Sequence, residues 1–548
     1  MTALLLTGCA SPQSDAIRVD SVQGYTLSNG EWITFESILF ENGEVVAVGL
    51  SEDLETQAPK ADVVDGGGHV MLPGLIDAHA HVVGLGQLLT QVDLTGSTSL
   101  DEALERVETY ASSNPDAPWI VGRGWNQELW QENSFPKAED LDQVVDDRPV
   151  FLSRIDGHAA WVNSVALNVG DVTRETQDPV GGRVIRDPEG DPTGILVDAA
   201  ESYVARHIPQ ESPEQLEEAV ERALQEMVSL GITGVHDAGV PKNVWELYQQ
   251  LDRRDELTVH INAMIGGVTE QTRPWIEKGP VMPNVSSRVS LTGVKIYSDG
   301  ALGSRGAAML EPYNDEPENK GLLFYDQQEM DDQVLTAVSH GFQANVHAIG
   351  DAANRQVLDA IEKATQAYPE SERHRVEHAQ VVALEDISRF TDLKLIASMQ
   401  PTHATSDKNM AQDRIGEQRL EGAYAWRTFL DQGTLIAAGS DFPVEPVNPF
   451  FGIHAAVTRQ DRKDEPPNGW RSEEAMTLRE ALRAFTLDAA YAAKSESLYG
   501  SLEPGKKADF ILIDRDPFDI PPSELDDIQV LQTWVEGENV YRQENSGP

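Results

Sequence analysis

The chain has 548 residues, enough for a large single barrel with an accessory domain or for two to three ordinary domains. Hydrophobic residues make up 40% and charged residues 24%, which is the composition of a globular protein and excludes a disordered one. With 91 acidic against 42 basic residues the formal net charge is −49, which argues against nucleic acid, anionic membrane surfaces and strongly anionic substrates as partners. The acidic residues are dispersed along the chain, the pattern of a heavily solvated surface.

At the N-terminus, "MTALLLTGCASPQSD" holds the single cysteine, Cys9, so neither an intramolecular disulfide nor a thiolate metal cage can form. The apolar run ending at Cys9 resembles the lipobox of bacterial lipoproteins, although it lacks a basic leader, so that a start further upstream or a shortened signal is expected. This stretch implies a lipid tether at Cys9 in the cell envelope, with the periplasm-facing side as location; without it the location is cytoplasmic. No later segment has about 18 uninterrupted apolar residues, so no membrane-spanning helix is expected.

Residues 1–17 read as leader. The stretch 31–50, "EWITFESILFENGEVVAVGL", has strand-like patches around the hairpin signal Asn42-Gly43. Strand-like pieces return at 500–518 and 528–542, which leads to the expectation of one small β-sandwich domain built from 18–74 and 498–545.

Between them lie eight short apolar strands: one in "MLPGLIDAHAHV", then 231–239, 257–267, 291–300, 342–351, 374–381, 395–403 and 434–443. Helical stretches intervene, such as 212–231, with Ser212 or Pro213 at its start and Gly231 at its stop, and 351–368. Alternation of this kind predicts an α/β fold, a (β/α)8 TIM-like barrel over 75–497, with residues of about 110–200 inserted after strand one.

Polar residues that can bind metal stand at the ends of these strands: His79 and His81, His236 and Asp237, Lys295 and Asp299, His347, His378, His403 and Asp441. His79 and His81 are two apart, so on a strand both imidazoles project from one face and form a ligand pair when neutral. The C-terminal strand ends of a barrel share one face, so distant segments would converge there. A nitrogen-rich set with a firm carboxylate suits zinc or a similar divalent ion.

The ordered motifs "LPGLIDAHAH", "RIDGHAAWVNS", "GVKIYSDGALGSRGAAMLEPY", "NVHAIGDAAN", "HRVEHAQ", "SMQPTHATSD", "AGSDFPVEPVNPF" and "GSLEPGKKADFILID" resemble the amidohydrolase superfamily, in its amidohydrolase-3 branch that includes N-substituted formamide deformylase. The likeness spans about 18–542. It implies one or two divalent metal ions, zinc foremost, with His79, His81, His347, His378 and Asp441 as ligands. Lys295 falls where the superfamily often carries a carbamylated lysine that bridges two metals; the competing reading is an ordinary lysine paired with Asp299.

Other residues are assigned roles around this set. Trp125, Asn126 and Gln127 in "GRGWNQELW", and His158 and Trp161 in "RIDGHAAWVNS", are candidates for substrate contact from a lid, against the alternative of a packed lid core. Arg305 is a candidate for gripping an acyl oxygen or carboxylate, or forms a structural ion pair. His236 is a candidate for supporting the ligands from behind, and His403 for acting near the chemistry. The expected reaction is hydrolysis of a non-peptide C–N bond in a small amide or N-acyl substrate, with Asp441 moving the proton. Two readings compete with it: hydrolysis of a cyclic amide, ester or lactone at the same site, and an inactive lipid-anchored binding protein. A homodimer is left open.

Overall fold

The computed structural model describes residues 16–543 except 132–133, 156, 158, 180–181 and 210–211, and not the side chain of Glu128. Cys9 with the leader, and His158, therefore lie outside the described residues. No described helix is long and apolar enough to cross a membrane.

The eight parallel strands of the barrel are Leu75–Ala80, Ile232–Val240, His260–Gly266, Val289–Tyr297, Gln343–Ala348, Arg375–His378, Ile396–Met399 and Leu435–Ala438, paired in that order. Their side chains are buried almost without interruption, as expected of parallel strands covered on both faces. Strands one and eight close the ring just beyond strand eight, where Asp441 N donates to His79 O (2.8 Å) and His81 N to Phe442 O (2.9 Å). Gly439 permits this closure: a Cβ there would lie 2.6 Å from both His79 N and Asp77 Oδ1. The expected helices also form, Pro213–Ser229 and Asp351–Ala367 among them. Ser212 and Gln215 bond reciprocally at the entrance to the first, which satisfies free backbone N–H groups there.

Both ends of the described chain meet in one six-stranded sheet, ordered Glu538–Arg542, Val530–Val535, Phe510–Ile513, Val70–Pro73, Gln23–Ser28, Glu31–Phe35. A second sheet runs Glu44–Gly49, Ser37–Glu41, Ala16–Asp20, Asp62–Asp65. Val19, Ile38 and Phe40 from one sheet and Met71, Phe510, Leu512 and Trp534 from the other share a single apolar core, so the sheets form a sandwich. The Asn42-Gly43 turn has positive φ at both residues (54° and 77°), the geometry such a two-residue hairpin loop needs.

Residues 82–223 form a separate compact unit that contains the stretch 110–200. Its six-stranded sheet is ordered Gly182–Arg186, Pro192–Asp198, Ala159–Val162, Val150–Arg154, Ile120–Trp125, Val92–Asp93. Two apolar clusters make up its core, one rich in tryptophan.

Candidate metal centre

Strand one delivers the first pair of imidazoles. His79 donates its Nδ1–H to Glu377 Oε2 (2.5 Å), and His81 donates its Nδ1–H to the Ala238 carbonyl (2.9 Å). Both partners only accept, so each ring carries its proton on Nδ1 and presents the Nε2 lone pair to the barrel mouth. Burial, assisted by the Lys295 ammonium, pushes His79 down to about 4, so its ring is neutral at ordinary pH.

Strand eight supplies the carboxylate. Asp441 Oδ1 lies 3.1 Å from His81 Nε2 and 3.6 Å from His79 Nε2. Two ring nitrogens and a carboxylate oxygen thus converge in one place, where a shared proton or a cation offsets their mutual repulsion. Burial opposes ionisation of Asp441, yet the facing His81, His79 and His403 outweigh it and hold the carboxyl well below its usual range. Its backbone is left-handed (φ 63°), as is that of His378 (φ 74°), a costly conformation for residues with a side chain and one that concentrates at functional sites. Beneath them the buried Asp77 accepts from Ser440 Oγ (2.6 Å) and from His79 N (3.1 Å), which ties strand eight to strand one at this level.

His378 and His403 complete a second group on the other oxygen. His403 Nε2 is 3.6 Å from Asp441 Oδ2. His378 donates its Nδ1–H to Gln400 Oε1 (2.8 Å), which again frees Nε2. His79, His81 and Asp441 form one group with metal-ligating potential and His378, His403 and Asp441 another, the ligand atoms of each lying within 4.8 Å of one another. His347 packs beside them, its ring centroid 4.5 Å from that of His378. Burial pushes His347 down to about 3, and its Nε2 lies 3.5 Å from Asp299 Oδ1 without the geometry of a hydrogen bond.

Lys295 is buried at the same spot, with Nζ 3.0 Å from His79 Nε2 and 4.7 Å from the Tyr297 ring centroid. Burial pushes it down to about 8. The alternative pairing with Asp299 does not form. The Asp299 carboxylate instead accepts from the backbone N–H groups of Ala308, Ile349 and Gly350, and burial still pushes it up to about 7.

Behind the ligands stands a buried ion pair that the sequence reading passed over. Glu377 Oε1 lies 2.8 Å from Arg375 Nε, and neither side chain is exposed. Arg375 also donates to His236 Nδ1 (3.0 Å), to Ser398 Oγ (2.8 Å) and to the Ala78 carbonyl. His236 accordingly supports the site through Arg375 rather than touching a ligand ring directly. Burial works against a charged Glu377, but Arg375 and His79 prevail and keep it ionised. The signal was present in "HRVEHAQ": Arg375 and Glu377 are two apart on one strand and so face the same way.

The remaining candidates separate by environment. Trp125 and Trp161 are fully buried in the core of the 82–223 unit, where their indole N–H groups are spent on the carbonyls of Leu152 and Lys137 (2.8 Å each). They are packing residues there, which matches the alternative of a packed core. Asn126 and Gln127 accept from Arg154 within that unit (3.1 and 2.9 Å). Arg305 pairs with Asp315 (2.9 Å) and Glu316 (3.4 Å), the structural ion pair of the two options.

The donor set fits a divalent ion. His347 Nδ1 and Nε2, His403 Nε2 and Asp441 Oδ1 are buried without hydrogen-bond partners, and all belong to this cluster. The profile of the amidohydrolase family matches residues 62–541. The chain belongs to the amidohydrolase family. A Bacillus subtilis (strain 168) protein named as an amidohydrolase, YtcJ, is 33% identical over 92% of this chain and 96% of its own length. The N-substituted formamide deformylase of Arthrobacter pascens is 29% identical over 93% of this chain and 95% of its own. The crystal structure of an uncharacterised metal-dependent hydrolase from Pyrococcus furiosus superposes with a TM-score of 0.76 at 29% identity, covering 92% of this chain and 100% of that one. This amidohydrolase is therefore a metal-dependent hydrolase, and its histidine and aspartate cluster could hold a metal ion.

Proposed function

We propose that this amidohydrolase cleaves a non-peptide C–N bond of a small amide or N-acyl compound, yielding a carboxylate and an amine. The observation that carries the reading is the position of Asp441, whose two oxygens face two separate histidine groups. The name of the Arthrobacter pascens relative points to the same bond class. The donor chemistry, nitrogen-rich with one carboxylate, favours zinc. When bound, one or two such ions would polarise the substrate carbonyl and make water a nucleophile at neutral pH.

The chain's own groups account for the rest. His79, His81, His347 and His378 would hold the metal through nitrogens freed or fixed by their partners, with Glu377 and Gln400 keeping two of the rings in place. His403 stands beside them, available as a further ligand or as a contact for the substrate oxygen. Asp441 takes the proton of the attacking water on a carboxylate oxygen and returns it to the leaving nitrogen as the C–N bond breaks. Lys295, beside His79, would serve as a carbamate: its neutral amine would form an N–C bond with carbon dioxide and release a proton, turning a cation into an anionic group able to hold a metal.

The test is turnover of the metal-loaded enzyme on a panel of N-acyl amines, cyclic amides, lactones and aryl esters. Preferred cleavage of N-acyl amines supports the reading, and cleavage of lactones or esters alone overturns it. Asp441→Asn keeps the size of the side chain and one ligating oxygen but cannot carry the proton. It should retain much of the metal and lose about 10²–10⁴-fold in turnover.

A further inference from the structure

Thr402, the residue before His403, lines a cavity of about 250 Å³ that no step above uses. Thr402, Thr405 and Ser406 of the helix Pro401–Asp407 line one wall, and Phe451 and His454 of the helix Pro449–Thr458 line another. Glu445 lines it from the segment that follows strand eight. The cavity therefore shares both supports with the reaction site, since His403 lies on the first helix and Asp441 begins that segment.

Two side chains in this cavity lack the partners their burial calls for. Thr402 is 7% exposed, and its Oγ1 has no hydrogen-bond partner. The neighbouring Thr405 hydroxyl, by contrast, is spent on the Thr402 carbonyl (2.9 Å). Glu445 takes a hydrogen bond from Ser406 and makes no ion pair among the described residues. The charges of His403, Asp407 and Asp441 act on it. Arg462, whose exposed guanidinium stacks 3.9 Å from the Phe451 ring centroid, and the exposed Lys463 also line the cavity, as does Asp461, which is held by Lys408 (2.7 Å).

A carboxylate only accepts hydrogen bonds, and a partly buried one gains most from a donor that also carries positive charge. We propose that this cavity is the subsite for the substrate's substituent, and that Glu445 selects substituents ending in a protonated nitrogen such as an ammonium or guanidinium, with Thr402 Oγ1 as a second acceptor. The inference rests on the proposed C–N hydrolysis only in calling the ligand a substrate. The global charge of −49 draws every cation toward the protein, whereas Glu445 acts on those that enter this cavity.

Binding separates the two effects without relying on turnover. The probes are n-butylguanidinium and n-butylurea, which match in shape and differ in charge, titrated by calorimetry into the metal-loaded enzyme at moderate salt. Wild type should bind the guanidinium at least about tenfold more tightly, the low end for a charge-assisted hydrogen bond. Glu445→Gln, checked for unchanged metal content and melting temperature, should bring the two affinities to within about twofold, since it removes one charge of many. Thr402→Val should weaken guanidinium binding severalfold and leave its preference over urea in place.

Equal binding of both probes by wild type overturns the proposal whatever the variants do. So does a preference that survives in folded Glu445→Gln. A guanidinium preference lost in that variant, in an enzyme that cleaves esters but no amide, would uphold the subsite and defeat the proposed reaction. Amide cleavage without any preference between the probes would do the reverse.

Discussion

His260, at the start of the third barrel strand, and His347, at the end of the fifth, are buried in the same barrel and differ in what their nitrogens meet. His260 Nε2 lies 2.9 Å from Asp509 Oδ2, and its ring stacks on Tyr499 at a centroid distance of 4.3 Å. His347 Nε2 stands off at 3.5 Å from Asp299 Oδ1 and makes no well-formed hydrogen bond. His260 is held by a partner from the C-terminal part of the chain, where strand Phe510–Ile513 begins one residue later. His347 packs among His79, His378 and His403, whose rings converge with that of His81 around Asp441. Burial alone thus does not mark a ligand. Nor does a bare Nε2, which the buried His236 and His374 also have; convergence of several such nitrogens on one carboxylate does.

The largest effects should come from removing imidazoles on the open side of this contrast. His81→Ala and His347→Ala should each lower bound metal and activity by orders of magnitude while the far-ultraviolet circular dichroism stays that of wild type, because the barrel core is untouched. Full metal occupancy in both variants, read by elemental analysis, would erase the distinction from His260. Lys295 comes next. Lys295→Ala should lose metal or activity, and formate or acetate should restore part of it by filling the place of an anionic bridge. Lys295→Arg should not be rescued, since a guanidinium remains cationic. A bare amine in high-resolution density of fully loaded enzyme would remove the carbamate.

A smaller loss is expected one layer further out. Glu377→Gln preserves shape but weakens the hold on His79 Nδ1 and leaves Arg375 without its counter-charge. Metal affinity should fall about 10–100-fold, the usual cost of losing the group that orients a ligand imidazole. The melting temperature should fall as well, because a buried ion pair broken on one side leaves an uncompensated charge. Unchanged metal affinity in a destabilised variant would assign Glu377 to folding alone.

The contrast also explains what could be read from the chain. The eight strands were visible because parallel strands buried on both faces are short apolar runs, and the mouth because metal-capable residues stood at the end of strand after strand. The sequence could not say which nitrogens were free. Glu377 and Arg375 looked like ordinary members of a strand, since their importance lies in being paired with each other and with residues some 300 and 140 positions away, His79 and His236. Strict alternation would send Glu377 and His378 to opposite faces. The left-handed backbone at His378 breaks that alternation and brings its ring into the mouth as well. Trp125 and Trp161 were ambiguous for the opposite reason: an aromatic residue in a polar-looking stretch reads the same whether it is presented to a ligand or, as here, packed against Trp130 with centroids 6.3 and 6.2 Å away.

The last and smallest effect on function is expected at the partnered end of the barrel, where His260 meets Asp509. His260→Ala removes a hydrogen bond to a buried carboxylate, of order 1.5–3 kcal/mol, and a ring contact of order 0.5–1.5 kcal/mol. A total loss of about 2–4 kcal/mol in stability follows, moderated because Asp509 keeps its bond from Glu536 N (2.7 Å). His260→Phe retains a ring to stack on Tyr499 and loses only the polar contact, so it should fall between wild type and His260→Ala in a denaturant titration. Both variants should bind metal at wild-type stoichiometry and turn over at wild-type rates below their unfolding midpoint, because no ligand rests on His260. Loss of metal in folded His260→Phe would show that the two ends of the barrel are coupled, and the rule that separates His260 from His347 by their partners would then fail.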